Sequence, residues 1–361
     1  MKYKNSTHFN HAQGDKTGVL ITNLGTPEAP TRQALRPYLK EFLSDPRVVE
    51  VPRLIWWCIL NLVILNFRPA RSARAYKTVW TEQGSPLMVH TQNQAAALQQ
   101  QLKAQYGDGV VVDFAMRYGK PAIGDVLDSM MQQGVRKLVI LPLYPQYCAS
   151  TTGSTFDALA QDFMQRRWLP DFKFISHYHD NRDYIAAVAE KIKAHREKQG
   201  SADKLIFSYH GIPKRYLLNG DPYHCECYTT SRLIANYLGL QPDQYLTTFQ
   251  SRFGREEWLK PYTDHTLQEL AGQGVKSVQV VCPGFSADCL ETIEEIGVEN
   301  RDYFLEAGGE RYEYIECLNS DESHINLLVS LVSAEIKQWH DSADVDLENR
   351  QKRAIQLGAE S

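Results

Sequence analysis

One short pattern occurs twice in this chain: Gln133-Gly134-Val135-Arg136-Lys137-Leu138-Val139-Ile140-Leu141-Pro142 and Gln273-Gly274-Val275-Lys276-Ser277-Val278-Gln279-Val280-Val281-Cys282-Pro283. In each copy a glycine closes a helical stretch and an apolar, β-rich run then stops at a proline. Glycine adopts the left-handed conformation that ends helices, and proline cannot donate to a strand ladder. Runs too apolar to alternate with polar residues suit strands buried on both faces, hence parallel sheets covered by helices. Further strand-like runs begin at Gly18, Val110, Leu205 and Tyr245, and helical stretches span Ala122–Gln133, Thr230–Leu238 and Tyr262–Ala271. The expected fold is therefore α/β, with two related, doubly wound domains, parallel sheets and a cleft between them. At 361 residues the chain exceeds the usual single core. The expected domains are 17–172 and 173–330, with a hinge between Trp168 and Asp183 and a last helix packing back on the first domain. Residues 341–361 form a charged tail, disordered or partly helical, and Met1 to Lys16 is polar and expected to fray.

A net charge of −4, with no basic excess, argues against a nucleic-acid partner. Seven cysteines and no charged-then-apolar leader point to reduced thiols in the cytoplasm. The longest apolar run, Trp56 to Phe67, would rise about 18 Å as a helix against the roughly 30 Å of a hydrocarbon core, so it cannot span. Arg53 precedes it and Arg68, Arg71 and Arg74 follow. Such a segment suits a peripheral membrane contact or the apolar wall of a ligand cleft, against the plainer alternative of a buried helix with a solvated arginine edge. Asn23-Leu24-Gly25-Thr26-Pro27 lacks the Gly-x-Gly-x-x-Gly spacing of a dinucleotide loop.

Ligands in parallel sheets bind beyond the carboxyl ends of the strands. His210, Glu291, Arg117 and Tyr144 all fall at such ends. His210 closes the run Leu205-Ile206-Phe207-Ser208-Tyr209 before the turn Gly211-Ile212-Pro213. A histidine held at a strand end suits general-base or metal-ligand work, and its reference pKa near 6.5 leaves most of it neutral at pH 7. The second strand end runs through Pro283-Gly284-Phe285 into a helix expected to be capped by Ser286. On it Glu291, Glu295 and Glu299, at i, i+4 and i+8, share one face. By pattern alone that stripe reads rather as a solvated acidic face.

Several ordered motifs together carry a family resemblance: Asn23-Leu24-Gly25-Thr26-Pro27, Phe42-Leu43-Ser44-Asp45-Pro46, Gly84-Ser85-Pro86-Leu87, Met116-Arg117-Tyr118, Leu143-Tyr144-Pro145-Gln146-Tyr147, Ser150-Thr151-Thr152-Gly153-Ser154, Ser208-Tyr209-His210-Gly211-Ile212-Pro213 and Asp288-Cys289-Leu290-Glu291-Thr292. Over roughly residues 17 to 330 the chain resembles the ferrochelatases, lyases that insert ferrous iron into a porphyrin to make haem. The resemblance implies a Rossmann-like, chelatase-type fold, with Fe2+ and protoporphyrin IX as substrates and no tightly bound cofactor. It implies His210 and Glu291 as the catalytic and metal-handling pair, facing each other across the porphyrin, with Glu295 and Glu299 behind as a path for protons or metal. Leu24, Tyr76, Ser85, Arg117, Tyr118, Tyr144 and Phe285 correspond to positions lining the porphyrin. Arg68 and Arg71 correspond to basic residues suited to its propionates, and residues 50–76 to an apolar lip. A chelatase for coproporphyrin or for another tetrapyrrole, such as a cobalt-inserting enzyme, and a non-catalytic porphyrin or haem carrier are the alternatives. Oligomeric state is left open.

Some ferrochelatases carry a [2Fe-2S] cluster, with one ligand in the Ser-Thr segment and three in a C-terminal extension. Here Ala149 stands in the ligand's place, Cys148 sits one position early, and no cysteine follows Cys317. A cluster of that type is not expected. His224-Cys225-Glu226-Cys227 reads as a surface loop with reduced thiols, and a metal role there needs two more ligands from elsewhere. Cys289, where some relatives place a histidine, is given no catalytic role.

Overall fold

The computed structural model describes residues 3–4, 10–254, 256–341 and 346–359. Among these, eight strands form two four-stranded sheets. β1 (Lys16–Thr26), β2 (Val110–Gly119), β3 (Val135–Pro142) and β4 (Asp171–Phe174) lie in the order β2-β1-β3-β4. β5 (Lys204–His210), β6 (Tyr245–Gln250), β7 (Ser277–Val281) and β8 (Arg311–Ile315) repeat it as β6-β5-β7-β8. Every pairing is parallel, so each neighbour is reached through a crossover, which helices such as Ile123–Gln132 and Thr263–Gly272 supply.

The repeat extends to detail. Gly134 and Gly274 both take φ +92°, the left-handed turn out of these paired helices. The second helix therefore runs through Gly272, and Gly274 is its terminator. The Met116 N–H bonds the Pro121 carbonyl and the Phe249 N–H bonds the Pro261 carbonyl, each at 2.8 Å. The inner strands are apolar on both faces: Val19, Leu20 and Ile21 of β1 and Leu205, Ile206 and Phe207 of β5 are fully buried. At the end of β1, Gly25 has φ +115°, and a Cβ there would fall 1.9 Å from the Tyr118 carbonyl oxygen, so only glycine lets β1 and β2 close together.

Besides the buried clusters within each half, the halves share a core. One cluster of buried residues joins Val19, Leu98 and Val139 of the first half to Phe207, Tyr209, Leu328 and Ile336 of the second. Gln94, fully buried, donates to the carbonyls of Ser286 and Asn319 across this junction. The last long helix, Glu322–Asp341, lies against the first half, where Lys137 and Lys173 donate to the Trp339 and Glu335 carbonyls. β4 runs through position 172/173, so the first sheet extends to Phe174.

The amino-terminal segment departs from expectation, whereas the charged tail is partly helical as expected. The Lys4 ammonium pairs with Asp162 at 2.8 Å and Asp128 at 3.3 Å, so this part of the amino-terminal segment is tied down. Leu347–Gln356 is a helix, capped by Asp346, and Arg350 donates to the His11 carbonyl. The rest of the expected tail and frayed segment, at 1–2, 5–9, 342–345 and 360–361, lies outside the described residues.

The apolar run forms a continuous helical path through Arg53–Cys58, a π-helical turn Ile59–Ile64 and Leu65–Val79. Trp56, Leu60 and Leu65 pack inward, whereas Leu54, Ile55, Trp57, Ile59, Leu62, Val63 and Phe67 are exposed. Leu54 and Phe67 retain 78% and 75% of their accessible surface. The segment is thus neither a buried helix nor uniformly a lip. One face anchors it and the other offers water a contiguous apolar patch of the kind that marks an interaction site.

Candidate active site

β5 delivers His210 as sequence logic requires. Leu205 to Tyr209 are buried, and His210, half-buried, is the last residue in register, opposite Gln250 of β6. The next residue must be glycine, because a Cβ at Gly211 would lie 2.7 Å from the Gln250 carbonyl oxygen, which accepts the Gly211 N–H. His210 Nδ1 is 2.7 Å from the Gly211 carbonyl oxygen. A carbonyl only accepts, so Nδ1 carries the proton and Nε2 presents its lone pair outward.

The acidic row is wound differently from the α-helix expected. Ser286 is buried and caps nothing. The helix starts at Leu290, and Glu291–Glu299 is π-helical, a rare winding found mostly at functional sites. Asp288 is spent on structure, accepting from Thr292, Tyr314 and Asn319. Glu291 and Glu295 are half-buried and Glu299 is exposed, so the row runs from interior to solvent.

Glu295 is the perturbed member. Burial, first, and then the charges of Glu291 and Glu299 raise its carboxyl to about 7, although two hydrogen bonds from Ser251 favour the ionised form. The Ser251 N–H donates to Oε1 at 2.7 Å and its hydroxyl to Oε2 at 2.5 Å. Ser251 follows Gln250, the strand partner of His210, and holds φ +64°, a conformation costly for a residue with a side chain. The structure therefore links His210 to the acidic row through the end of β6. Nothing in the sequence singled out Ser251, because a left-handed serine has no local signature.

A stability prediction follows from Glu295. Its folded pKa, about 7, is above the reference 4.5, so folding favours the protonated form. That contribution is complete below about 4.5 and is lost as pH rises through 7, up to roughly 3 kcal/mol. Glu295→Gln should gain in thermal midpoint relative to the parent as pH is raised from 5 to 8, and a constant difference across that range would contradict it.

The opposite wall belongs to the first half. Tyr38 and Tyr76 lie near Glu291; burial, then neighbouring groups including the Glu291 charge, push both phenols up, so they stay neutral. Burial and the adjacent Arg71 lower Arg68, while Glu291 opposes them; the Arg68 guanidinium stands 5.7 Å from the Phe253 ring centroid of the second half. Arg68 thus faces the second half, and Arg71 is exposed. Tyr144 is half-buried with a buried, unpartnered hydroxyl, its pKa raised well above the usual by burial and then by Tyr118 and Tyr38. Leu24 and Tyr76 both pack against the buried cluster around Leu35 and Tyr118, and Phe285 is half-buried against the core of the second half.

Other expected lining residues make supporting contacts within the protein. Tyr118 is fully buried, and its hydroxyl donates to Asp45 at 2.8 Å. Arg117 pairs with Asp45 at 2.6 Å and donates to Ser154, so its charge is committed. Burial alone would raise Asp45, but hydrogen bonds from Ser154, the Arg47 backbone and Tyr118, and the Arg117 charge, hold it below the usual range. Ser85, buried, caps helix Pro86–Tyr106 by accepting from the Met88 N–H. Tyr38 and Asp45 were missed, although Asp45 sits inside one of the quoted motifs.

The thiols also differ from expectation. His224-Cys225-Glu226-Cys227 is no loop but the first turn of helix Tyr223–Tyr237, where Glu226 and Cys227 are buried. Burial pushes the Cys148 thiol up to about 12, and burial followed by the Glu291 charge pushes Cys289 well above the ordinary value. These are inert, protonated thiols.

A paired α/β scaffold with a strand-end histidine and an acidic helix defines a chelatase-type protein. The fold is shared with SirB from Bacillus subtilis, whose structure was determined with Fe3+: TM-score 0.51 at 12% identity, covering 92% of this chain and 100% of that one. The sequence profile of the ferrochelatase family matches residues 16–336. Ferrochelatase from Idiomarina loihiensis is 66% identical over 361 residues, covering 100% of this chain and 99% of that protein. Ferrochelatase from Pseudoalteromonas atlantica is 66% identical over 339 residues, 94% of each. The chain belongs to the ferrochelatase family, the lyases that insert ferrous iron into a porphyrin in haem synthesis, with Fe2+ as substrate. A C-terminal-type cluster has no ligand set in this sequence, given Ala149 and the lack of cysteine after Cys317.

Proposed function

We propose that protoporphyrin IX is the porphyrin and that it lies in the cleft with its pyrrole protons facing His210. Free-base porphyrin must lose two pyrrole protons as four nitrogens bind Fe2+, so two protons leave for each metal that enters. His210 Nε2 accepts them one at a time, releasing the first before it takes the second, and Glu291 works with Glu295 and Glu299 as the path between cleft and solvent. The carrying observation is the linkage at the strand ends: His210 with a free Nε2, its register partner Gln250, then Ser251 bonded to a carboxyl that titrates near neutrality. A group that changes charge near pH 7 can both take and release protons there. The apolar segment favours the dicarboxylic porphyrin over the tetracarboxylic one, and Arg68 supplies a cation at its edge. The test is anaerobic absorbance with ferrous or zinc ion and either porphyrin. Turnover should be faster with protoporphyrin. A stoichiometric spectral shift without turnover would favour a carrier, and preference for coproporphyrin would overturn the substrate assignment.

Among the described residues no helix is long and apolar enough to cross a membrane. We propose a cytoplasmic protein with a peripheral membrane contact through the exposed face of residues 54–67. Replacing Trp57, Leu62 and Phe67 together by glutamine should weaken liposome binding by at least roughly 10-fold, since even one such side chain is worth about 1.5–3 kcal/mol of burial, with the thermal midpoint unchanged. Trp56 must be left intact, because it is buried and its indole N–H donates to the Leu43 carbonyl at 2.6 Å. Unchanged liposome binding in the triple variant would remove the membrane role.

A further inference from the structure

The link between the two sheets carries a side-chain cluster with no part in the cleft. After β4 the chain runs extended: the Ile175 N–H bonds the Ile140 carbonyl at 3.0 Å and the Tyr178 N–H bonds the Pro145 carbonyl at 2.8 Å. In extended chain, alternate side chains share a side. Tyr178 turns into the core at 3% exposure, so His177 and His179 fall together on the other side, ring centroids 5.2 Å apart. Glu226, on the first turn of helix Tyr223–Tyr237, reaches both: Oε1 is 2.7 Å from His177 Nδ1 and Oε2 is 3.3 Å from His179 Nδ1. One donor atom from each of the three lies within 4.8 Å of the others.

The cluster is built rather than casual. Glu226 is buried at 6% exposure and anchored by the Tyr147 N–H at 2.7 Å. His179 is held from behind, its carbonyl accepting from the Thr230 hydroxyl at 2.8 Å. His179 Nδ1 is itself buried and, out of line with the carboxylate, has no hydrogen-bond partner. Among the described residues the ion-pair partners of Glu226 are these two histidines. A buried carboxylate without a fixed cation is costly, and an unpartnered imidazole nitrogen beside it adds to the cost. A divalent cation removes both.

We propose that His177, His179 and Glu226 form a binding site for a zinc-type divalent transition-metal ion, separate from the iron's route through the cleft. Two imidazoles and one carboxylate are a ligand set that zinc and its neighbours accept, with water in the remaining position on the exposed His177 side. Bonds near 2.1 Å place tetrahedral ligand atoms about 3.4 Å apart. The His179–Glu226 pair already has that spacing, and the closer His177 pair opens by a small turn of an exposed ring. Tyr147 precedes the first-half π-turn Ala149–Gly153, Glu226 belongs to the second half, and the histidines lie on the link. Bound metal would fasten these three segments together. The proposal does not depend on the roles given to His210 or Glu291.

Cobalt is the probe. It is titrated into protein carrying His210→Ala and Glu291→Gln, so that the cleft does not compete, and bound metal is counted directly. One equivalent per chain should bind, with visible d–d bands of an N/O site, and saturating zinc should raise the thermal midpoint by several degrees. Adding His177→Ala and His179→Ala should abolish all three effects. His177→Ala alone should keep the parent's fold by circular dichroism, though Glu226 loses a hydrogen-bond partner, while weakening cobalt at least tenfold. Failure to bind a stoichiometric cobalt ion, or equal uptake with both histidines removed, overturns the site.

Discussion

His210→Ala should lower metal insertion by at least about a hundredfold while porphyrin affinity stays within a few-fold, because a positioned base contributes to the proton-transfer step far more than to ring burial. The expectation rests on geometry. The Nδ1–H is spent on the Gly211 carbonyl, which directs the basic Nε2 outward from the end of β5. The fold should tolerate the change: His210 is half-buried at a strand end, the ladder bonds of β5 are backbone bonds, and the side chain's one hydrogen bond is to its own neighbour. Initial rates of zinc and iron insertion are measured beside porphyrin binding by fluorescence. Near-parental turnover in the variant would sink the mechanism whatever the fold. A loss of binding as large as the loss of rate would instead make His210 a contact residue.

The sheets were legible because their cause is local and repeated. Strands buried on both faces read as uninterrupted apolar runs, and the glycine that ends each preceding helix fixes where they begin. β2 and β6 therefore lie where the residues place them. The start of helix Tyr223–Tyr237 was not legible. Its first turn holds His224, Cys225, Glu226 and Cys227, poor in helix preference, and no side chain caps it. The burial of Glu226 beneath His177 and His179 joins residues far apart in sequence, and only tertiary packing announces it.

The site divides in the same way. His210 and the glutamates lie where the sequence places them, because strand ends and residue spacing are sequence properties. Which lining residues meet the ligand and which hold others in place was not recoverable. Arg117 and Tyr118 lie in one motif, and both are claimed by Asp45, some seventy residues earlier. Ser85 is a serine before a proline at a helix start, and its capping role is the ordinary reading of that pattern. The winding of Glu291–Glu299 was invisible as well, since an i, i+4, i+8 row of glutamates fits an α-helix equally well.

Glu291→Gln keeps shape and removes charge, and it should lower turnover by roughly tenfold or more with little change in porphyrin affinity, whereas Glu299→Gln should stay within about twofold because its exposed charge is screened by water and salt. The two differ in surroundings: Glu291 lies beside Tyr38, Tyr76 and Arg68 in the cleft, and Glu299 is at the solvent end. Glu295 between them reports on both. The Glu291 charge helps to raise Glu295 to about 7, so Glu291→Gln should let that carboxyl titrate at lower pH. Ser251→Ala acts in the opposite sense: it removes a hydroxyl donor to the ionised form and should push Glu295 above 7. If ionised Glu295 carries protons from the cleft, the acid limb of the rate profile moves down in pH in the first variant and up in the second. It should shift less in Glu299→Gln, whose charge ranks behind that of Glu291 in raising Glu295. Rates between pH 5 and 9 for the three variants decide it. Equal losses in Glu291→Gln and Glu299→Gln, or limbs that do not move in opposite directions, would remove the acidic row from the proton path.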